Sequence, residues 1–401
     1  MAPLRIGSHD IAGHLPAGAR IWLHACSGES ALIREGLEAA DLRGLTFTGI
    51  FVPGLNLLGG LLAAGARIDS YFMMPEFAGN DAQVRFLPFC YRDIRLHLGA
   101  LLPDVALVMV APPDEAGMCS LGPVNDFIAD IWPQVPRIIA HVNPLLPRTH
   151  GRAIPYDRFH AVIEGEAPLP VSDPGTDAVS ARIAALAAGL IPGGATIQAG
   201  LGRTPEAVLS GLTGHRDLSI HSGLIGNSTL DLLNAGALRA DAPICAGVAI
   251  GSARLYEAVA RPEFRFAPPS VTHDIAQLAT MGRFVTINSA IEVDLAGNSH
   301  AEATPKGLVS GPGGASDFAA GARGLQGLRM VVLPATAAGG RISRIVAPGR
   351  ASGPVSLGRF DTDVVVTEYG IADLRAASPA ERRERLIAIA APEHRDRLAD
   401  G

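Results

Sequence analysis

A repeated order of strand, glycine turn, helix and strand constrains this chain more than any other feature. Gly18-Ala19-Arg20-Ile21, a glycine-bearing turn and Ala31-Leu32-Ile33 are matched by Gly194-Ala195-Thr196-Ile197, a glycine-bearing turn and Ala207-Val208-Leu209. Leu45-Thr46-Phe47-Thr48 then parallels Leu218-Ser219-Ile220-His221. Each copy reads as a βαβ unit, whose crossover requires parallel strands in one sheet. Short α/β units also recur by chance, so the echo alone leaves duplication and coincidence both open.

With 401 residues the chain exceeds one ordinary core and fits about two or three domains, of which two agree with the echo. The segment Glu166-Ala167-Pro168-Leu169-Pro170-Val171-Ser172-Asp173-Pro174-Gly175 carries three prolines and a glycine and excludes a helix or a central strand. The expected division is therefore residues 1–168 and 176–401, with an alanine-rich helix over Asp177 to Leu190 opening the second part. Apolar runs around Thr196 to Gln198, Leu218 to His221, Phe284 to Asn288, Met330 to Leu333 and Val364 to Thr367 predict strands covered on both faces. The fold class is α/β, with two related parallel-sheet domains. Gly49 to Ala64 is the longest apolar stretch, broken by Pro53, Gly54, Asn56 and Gly59-Gly60, and reads as core or pocket lining.

A formal net charge of -6 without a basic stripe gives no footprint for nucleic acid or an anionic membrane. Met1-Ala2-Pro3-Leu4-Arg5 lacks the apolar core of a signal peptide, and no long apolar run predicts a membrane span, so a cytoplasmic protein is expected. Cys26, Cys90, Cys119 and Cys245 show no CxxC spacing, and His24, His150 and His221 form no HxxxH pair. Neither a metal site nor a disulfide framework is indicated.

Ile291-Glu292-Val293-Asp294-Leu295 alternates with period two, which puts both carboxylates on one face of a strand. By itself this is as well read as a solvated sheet face. Two glycine-bearing stretches follow, Ser310-Gly311-Pro312-Gly313-Gly314 and Thr367-Glu368-Tyr369-Gly370. A strand carboxylate near backbone amides able to hold an oxyanion is the equipment of covalent catalysis on a thioester. Gly200 and Gly202 with Pro205 lack the third glycine of a dinucleotide fingerprint and read equally as a tight strand-to-helix turn or a ligand contact.

These stretches resemble the acetyl-CoA hydrolase/transferase family, the group of 4-hydroxybutyrate, butyryl, succinyl and acetyl CoA-transferases. The resemblance begins at Pro112-Pro113-Asp114-Glu115 and Cys119-Ser120-Leu121-Gly122 and passes through Val142-Asn143-Pro144 and Pro147-Arg148-Thr149-His150-Gly151. It continues through Gly200-Leu201-Gly202, the Glu292 strand and Ala337-Ala338-Gly339-Gly340-Arg341 to Thr367-Glu368-Tyr369-Gly370-Ile371-Ala372-Asp373-Leu374-Arg375. It implies that Glu292 is the nucleophile, passing through an acyl-glutamyl anhydride and a glutamyl-CoA thioester. It further implies that Gly370 and Val271 lie beside the thioester, and that Pro269, Ser270, Thr272 and His273 belong to a CoA-contacting stretch. The N–H groups of the turn at Gly311, Gly313 and Gly314 could cradle phosphate or pantetheine carbonyls, where without the resemblance the turn reads equally as a plain flexible loop. Coenzyme A enters as substrate rather than as a tightly bound cofactor, with a small carboxylate as the other substrate and a homodimer or larger homo-oligomer as the assembly.

Several positions depart from the family pattern. Ser222-Gly223 stands where members carry threonine-glutamate, and Ala376-Ala377 where they carry glycine-lysine. His273-Asp274-Ile275 replaces asparagine-aspartate-proline, Pro305-Lys306 a small pair, and Pro312 a β-branched residue. These changes bear on the acyl group more than on the chemistry. The expected activity is acyl-CoA:carboxylate CoA transfer; an acyl-CoA hydrolase and a catalytically silent acyl-CoA binder are the alternatives.

Overall fold

Apolar runs punctuated by glycine and proline turns build two parallel sheets in this protein. A computed structural model describes residues 2–173 and 175–400; Pro174, within the expected boundary, lies outside the described residues with the two termini. The chain divides into two units, Met1–Ser172 with Cys245–Thr272, and Asp173–Ile244 with His273–Gly401.

The first unit holds β1 (Leu4–Arg5), β2 (Arg20–Leu23), β3 (Thr46–Gly49), β4 (Arg67–Ser70), β5 (Val84–Phe86), β6 (Val105–Val110), β7 (Arg137–Val142) and β8 (Ala161–Glu164). They pair in parallel in the order β1-β8-β7-β6-β2-β3-β4-β5. Every residue of β6, Val-Ala-Leu-Val-Met-Val, is buried, as a central parallel strand covered on both faces requires. Helix α1 (Ala31–Glu38) follows β2 and is capped by Ser30, whose Oγ accepts the Ile33 N–H at 3.1 Å. The Gly49 to Ala64 stretch supplies core side chains, with Phe51, Leu58 and Leu61 buried.

Residues 245–272 group with the first unit, where one continuous C-terminal domain is expected from the sequence. The Asn125 N–H donates to the Gly247 carbonyl at 2.8 Å, the Ala249 N–H to Pro123 at 2.9 Å and the Ser27 hydroxyl to Ala249 at 2.6 Å. Side chains of the segment add to these contacts: the Tyr256 hydroxyl donates to the Pro170 carbonyl at 2.6 Å and the Ser270 hydroxyl to Asp130 at 2.5 Å.

In the second unit, Asp177 caps α2 (Ala178–Ala188) by accepting the Ser180 N–H at 2.8 Å. Strand β9 (Thr196–Ala199) leads through Gly202, at φ +126°, into α3 (Arg203–Ser210) and then β10 (Ser219–Ile225). The chain later returns as β11 (Phe284–Ser289), β12 (Glu292–Asp294), β13 (Ser299–His300), α4 (Ala315–Gly321), β14 (Leu328–Val332), β15 (Ile345–Val346), β16 (Val364–Thr367) and β17 (Gly370–Asp373). Strands β10-β9-β11-β14-β16 pair in parallel, and β17 closes the edge antiparallel to β16. Strands β13-β12-β15 form a separate small sheet.

Each unit has its first central strand, β2 or β9, between the next strand in sequence and one reached much later. That reversal is a topological switch point, and the crevice beyond the carboxyl ends of the strands there is where open α/β sheets bind ligands. The echoed glycines Gly18 and Gly194 have φ of +75° and +73°, so the sequence match extends to backbone conformation.

Gly36 in α1 tests the packing of the first unit. A Cβ there would lie 2.0 Å from the Ser8 carbonyl oxygen, a backbone atom that cannot swing away. Glycine to alanine inside a helix ordinarily stabilises by about 1 kcal/mol, but overpacking against backbone costs about 1–3 kcal/mol. Gly36→Ala is therefore expected to lower the urea unfolding midpoint, and an unchanged or raised midpoint would show that α1 is loosely seated.

Candidate active site

Val293 sets the orientation of Glu292. It is fully buried against Leu295, Leu333, Ile345 and Leu357, so strand alternation turns both flanking carboxylates to the other face. The small sheet holds this register: the Ile291 N–H donates to His300 O at 2.8 Å and the Val293 N–H to Arg344 O at 2.8 Å. Glu292 and Asp294 are each only 4% exposed, so the face is buried rather than solvated.

The two carboxylates have different duties. Asp294 organises its own turn, accepting the Ala296 and Asn298 N–H groups at 3.0 and 2.9 Å and the Asn298 side-chain amide at 2.9 Å. Burial pushes its pKa up, but His300 and these donors outweigh it and hold the carboxyl below the usual range. His300 Nδ1 lies 3.0 Å from the Gly353 and Pro354 carbonyls, so that nitrogen carries a proton, and Nε2 faces Asp294 at 3.6 Å, an ion-pair distance rather than a hydrogen bond. Burial opposes charge on His300, yet Asp294 and the two carbonyls raise its pKa above the ordinary value.

Among the described residues Glu292 accepts from Ser352 alone: the backbone N–H reaches Oε2 at 2.6 Å and the hydroxyl reaches Oε1 at 3.0 Å. Arg344, next to Glu292 through the small sheet's backbone pairing, is half-buried, and burial pulls its guanidinium pKa down while the charges of Glu292 and Glu368 hold it up. Among the described residues its side chain makes no hydrogen bond and no ion pair within 4 Å, and its Nε is buried without a partner. Glu368 accepts the Ala335 N–H at 2.8 Å, which fixes the turn leading to Gly370.

Gly370 pairs with Thr367 across this two-residue hairpin at φ +152°, a conformation that side-chain-bearing residues rarely adopt. A Cβ there would meet only Ile389, at 3.5 Å, so backbone conformation rather than crowding demands the glycine. Gly313, at φ +60°, lies between buried Gly311 and Gly314, the residue preceding α4. Gly314 has a packing role: a Cβ would sit 2.4 Å from His273 Nε2.

His273 is not a surface contact. Its ring is buried against Gly223, Gly314 and Phe318, and burial, with His221 adding to it, lowers its pKa to about 3. Gly223 and His273 are two of the departures from the family pattern, and they meet: a Cβ on Gly223 would lie 2.8 Å from the His273 ring. The larger residue at one position takes the room left by the smaller at the other. Pro269–Thr272 form a single helical turn of the first unit, whereas His273 belongs to the second. Pro269 and Thr272 are buried, Val271 is half-buried, and Ser270 gives its hydroxyl and N–H to Asp130 at 2.5 and 3.1 Å. The residues missed in the sequence are Ser352 and Arg344. Ser352 sits in a loop without a periodic pattern, and Arg344 lies three residues beyond the Ala337 to Arg341 turn, where only its apolar neighbours Ile342 and Ile345 hint at a strand.

A cavity of about 290 Å3 opens in the second unit at the carboxyl ends of β9, β11 and β14. Thr204, Ala290, Ile291, Val332 and Arg344 line it, with Arg203 and Asp177 paired at 2.8 Å alongside. No group of three or more side chains able to hold a metal occurs among the described residues, and none of their helices is long and apolar enough to cross a membrane.

A family model for the acetyl-CoA hydrolase/transferase C-terminal domain matches residues 251–401. The chain is 32% identical over 333 residues to a 4-hydroxybutyrate coenzyme A transferase of Clostridium kluyveri, covering 80% of this chain and 78% of that protein. It is 32% identical over 338 residues to a butyryl-CoA:acetate CoA-transferase of Anaerostipes caccae, covering 79% and 75%. The crystal structure of RipA from Yersinia pestis superposes with a TM-score of 0.90 at 25% identity, covering 99% of this chain and 96% of that one.

The Asp294 and His300 pair sets a pH dependence whose sign can be worked out. A raised histidine pKa adds stability that is fully present below about 6.5 and lost as pH rises through the folded value; a lowered aspartate pKa adds stability present above about 3.9 and lost as pH falls through the folded value. The pair therefore stabilises most between about pH 4 and 6.5. His300→Gln is expected to narrow the gap to wild type in melting temperature as pH rises from 6.5 to 8.5. A gap independent of pH would show that the imidazole is neutral throughout.

Proposed function

Because the chain belongs to the acetyl-CoA hydrolase/transferase family, we propose that it is an acyl-CoA:carboxylate CoA-transferase using Glu292 as nucleophile. The observation that carries this reading is the buried Glu292 carboxylate, held by two hydrogen bonds from Ser352 and neighboured by a half-buried cation. A desolvated carboxylate with few donors keeps its nucleophilicity, whereas Asp294, saturated with hydrogen bonds, does not compete.

In this mechanism a Glu292 oxygen attacks the acyl-CoA carbonyl carbon, the C–S bond breaks, and CoA leaves as thiolate from an acyl-glutamyl anhydride. The thiolate attacks the glutamyl carbon, the anhydride C–O bond breaks, and the first carboxylate departs from a glutamyl-CoA thioester. An acceptor carboxylate runs the sequence backwards. Attack on the glutamyl carbon puts negative charge on a Glu292 oxygen, and the Ser352 N–H at 2.6 Å already faces Oε2. That donor serves the second tetrahedral state without rearrangement. Gly370 and Val271 are the candidates beside the thioester, and Gly311 and Gly313 remain candidates for the CoA tail. The family resemblance extends the reading to a cytoplasmic homodimer or larger homo-oligomer.

The second member of the family's activities, acyl-CoA hydrolysis, differs only in what captures the acyl-enzyme. Transfer predicts that free CoA appears slowly without acetate while acyl exchange into added carboxylate is fast; CoA release at one rate regardless of carboxylate would assign a hydrolase. Glu292→Asp is expected to lose about a hundredfold in exchange, since withdrawing the carboxylate by about 1 Å disrupts attack. Gly370→Val is expected to lose about tenfold to a thousandfold, the range for a disrupted oxyanion site. Wild-type exchange in either variant would remove that residue from the chemistry.

A further inference from the structure

The amino ends of β2 to β5 in the first unit form a cationic cavity of about 370 Å3. Strand register puts Arg20, Thr46, Arg67, Asp69 and Arg85 on one face of the sheet: Arg20 pairs with Thr46, Thr46 with Arg67 and Asp69 with Arg85. Asp69 is buried and already matched. Arg85 donates to both of its oxygens at 2.9 and 2.5 Å, and Arg20 Nη1 lies 3.4 Å away. Positive charge is left over. Arg20 Nε is buried without a partner, and among the described residues neither the Arg67 guanidinium nor the Thr46 hydroxyl has a hydrogen bond or ion pair. Arg67 is exposed and meets water, but the Arg20 Nε is shielded, and a buried donor is costly until an acceptor meets it. The fold itself has no need of this charge. The second unit pairs Thr196 with Ser219 in the register that Arg20 and Thr46 use, and builds the same parallel sheet without a guanidinium at that place.

Acceptors line the rest of the cavity. Gln83 gives its amide N–H groups to the Leu62 and Ala66 carbonyls, both at 2.9 Å, which leaves Oε1 open, and Asp81 adds a carboxylate with no ion pair among the described residues. We propose that this cavity binds the phosphate monoester of a small hydroxylated molecule, with Arg20, Arg67 and Thr46 holding the phosphate and Gln83 and Asp81 accepting from its hydroxyl groups. Three separate donors suit a group with an oxygen for each, whereas a carboxylate has only two. The ion pairs to Asp69 hold Arg20 and Arg85 in place, so the cationic face is set before the ligand arrives. The volume lies at the lower end of ligand pockets and exceeds what an inorganic anion fills. Ala82 and Val84 are the only apolar residues of the lining, which does not suit an acyl chain.

The test is calorimetric titration of the full chain, free of CoA, with glycerol 3-phosphate, orthophosphate and glycerate. Glycerol 3-phosphate is expected to bind saturably, orthophosphate about tenfold more weakly for want of hydroxyl groups, and glycerate more weakly again. Arg67→Gln is expected to weaken glycerol 3-phosphate binding about tenfold or more and Arg67→Lys to recover part of it, as loss and partial return of a charge-assisted hydrogen bond imply. Because Arg67 is exposed and unpaired among the described residues, both variants are expected to keep the wild-type melting temperature. Thr46→Val is expected to weaken binding in the same direction. No saturable binding by the wild type, or equal binding by wild type and Arg67→Gln, would overturn the site. Glycerate bound as tightly as glycerol 3-phosphate would overturn the phosphate, and orthophosphate bound as tightly would overturn the ester. Displacement of glycerol 3-phosphate by CoA but not by dephospho-CoA would overturn the separate ligand and make the cavity a seat for the 3′-phosphate of CoA. None of these measurements depends on CoA transfer, so the site and the transferase reading fail separately.

Discussion

The hydrogen bond from the Val293 N–H to the Arg344 carbonyl, 2.8 Å long, is the constraint on which the site depends. It joins β12 to the chain entering β15, so one backbone contact sets both the nucleophile candidate and the cation near it. Val293 and Ile345, paired across the same small sheet and fully buried, supply the apolar anchor. Fully burying a side chain of this type stabilises by about 1.5–3 kcal/mol. The small sheet is therefore held rigidly enough to keep Glu292 out of water.

One strand thus carries two carboxylates with opposite fates. Asp294 is surrounded by amide donors and a histidine and stabilises a turn. Glu292, two residues earlier, receives donors from a single serine among the described residues. Chemistry requires the less satisfied group, because every donor to a carboxylate must be weakened before that carboxylate can attack.

Much of the fold is legible in the sequence because buried parallel strands are written as apolar runs, and the turns between them as glycine and proline. Strands β9, β10, β11, β14 and β16 lie where such runs predict them, and Asp177 begins α2 as an aspartate cap should. The grouping of residues 245–272 with the first unit is not legible, since its contacts, from backbone groups such as Gly247 O and Ala249 N and from single side chains such as Tyr256 and Ser270, join positions far apart in sequence without a periodic pattern. Glu292 is found by alternation and motif, but Ser352 is 60 residues away in a loop without a periodic pattern, and its backbone N–H and hydroxyl meet Glu292 only in the fold. The departures at Gly223 and His273 are each visible alone; their compensation is a fact of three-dimensional packing. Ala376, standing where the family has glycine, keeps a positive φ of +49°, so the local turn persists although its usual residue does not.

The covalent role of Glu292 is tested most directly by trapping. Incubation with an acyl-CoA and no acceptor, followed by proteolysis and mass spectrometry, should find CoA joined to the peptide at Glu292. Borohydride, which reduces thioesters and leaves carboxylates intact, should inactivate the protein only after acyl-CoA treatment and convert that side chain to the alcohol. CoA found on Asp294, or an unmodified and borohydride-resistant protein that still exchanges acyl groups, would contradict the account.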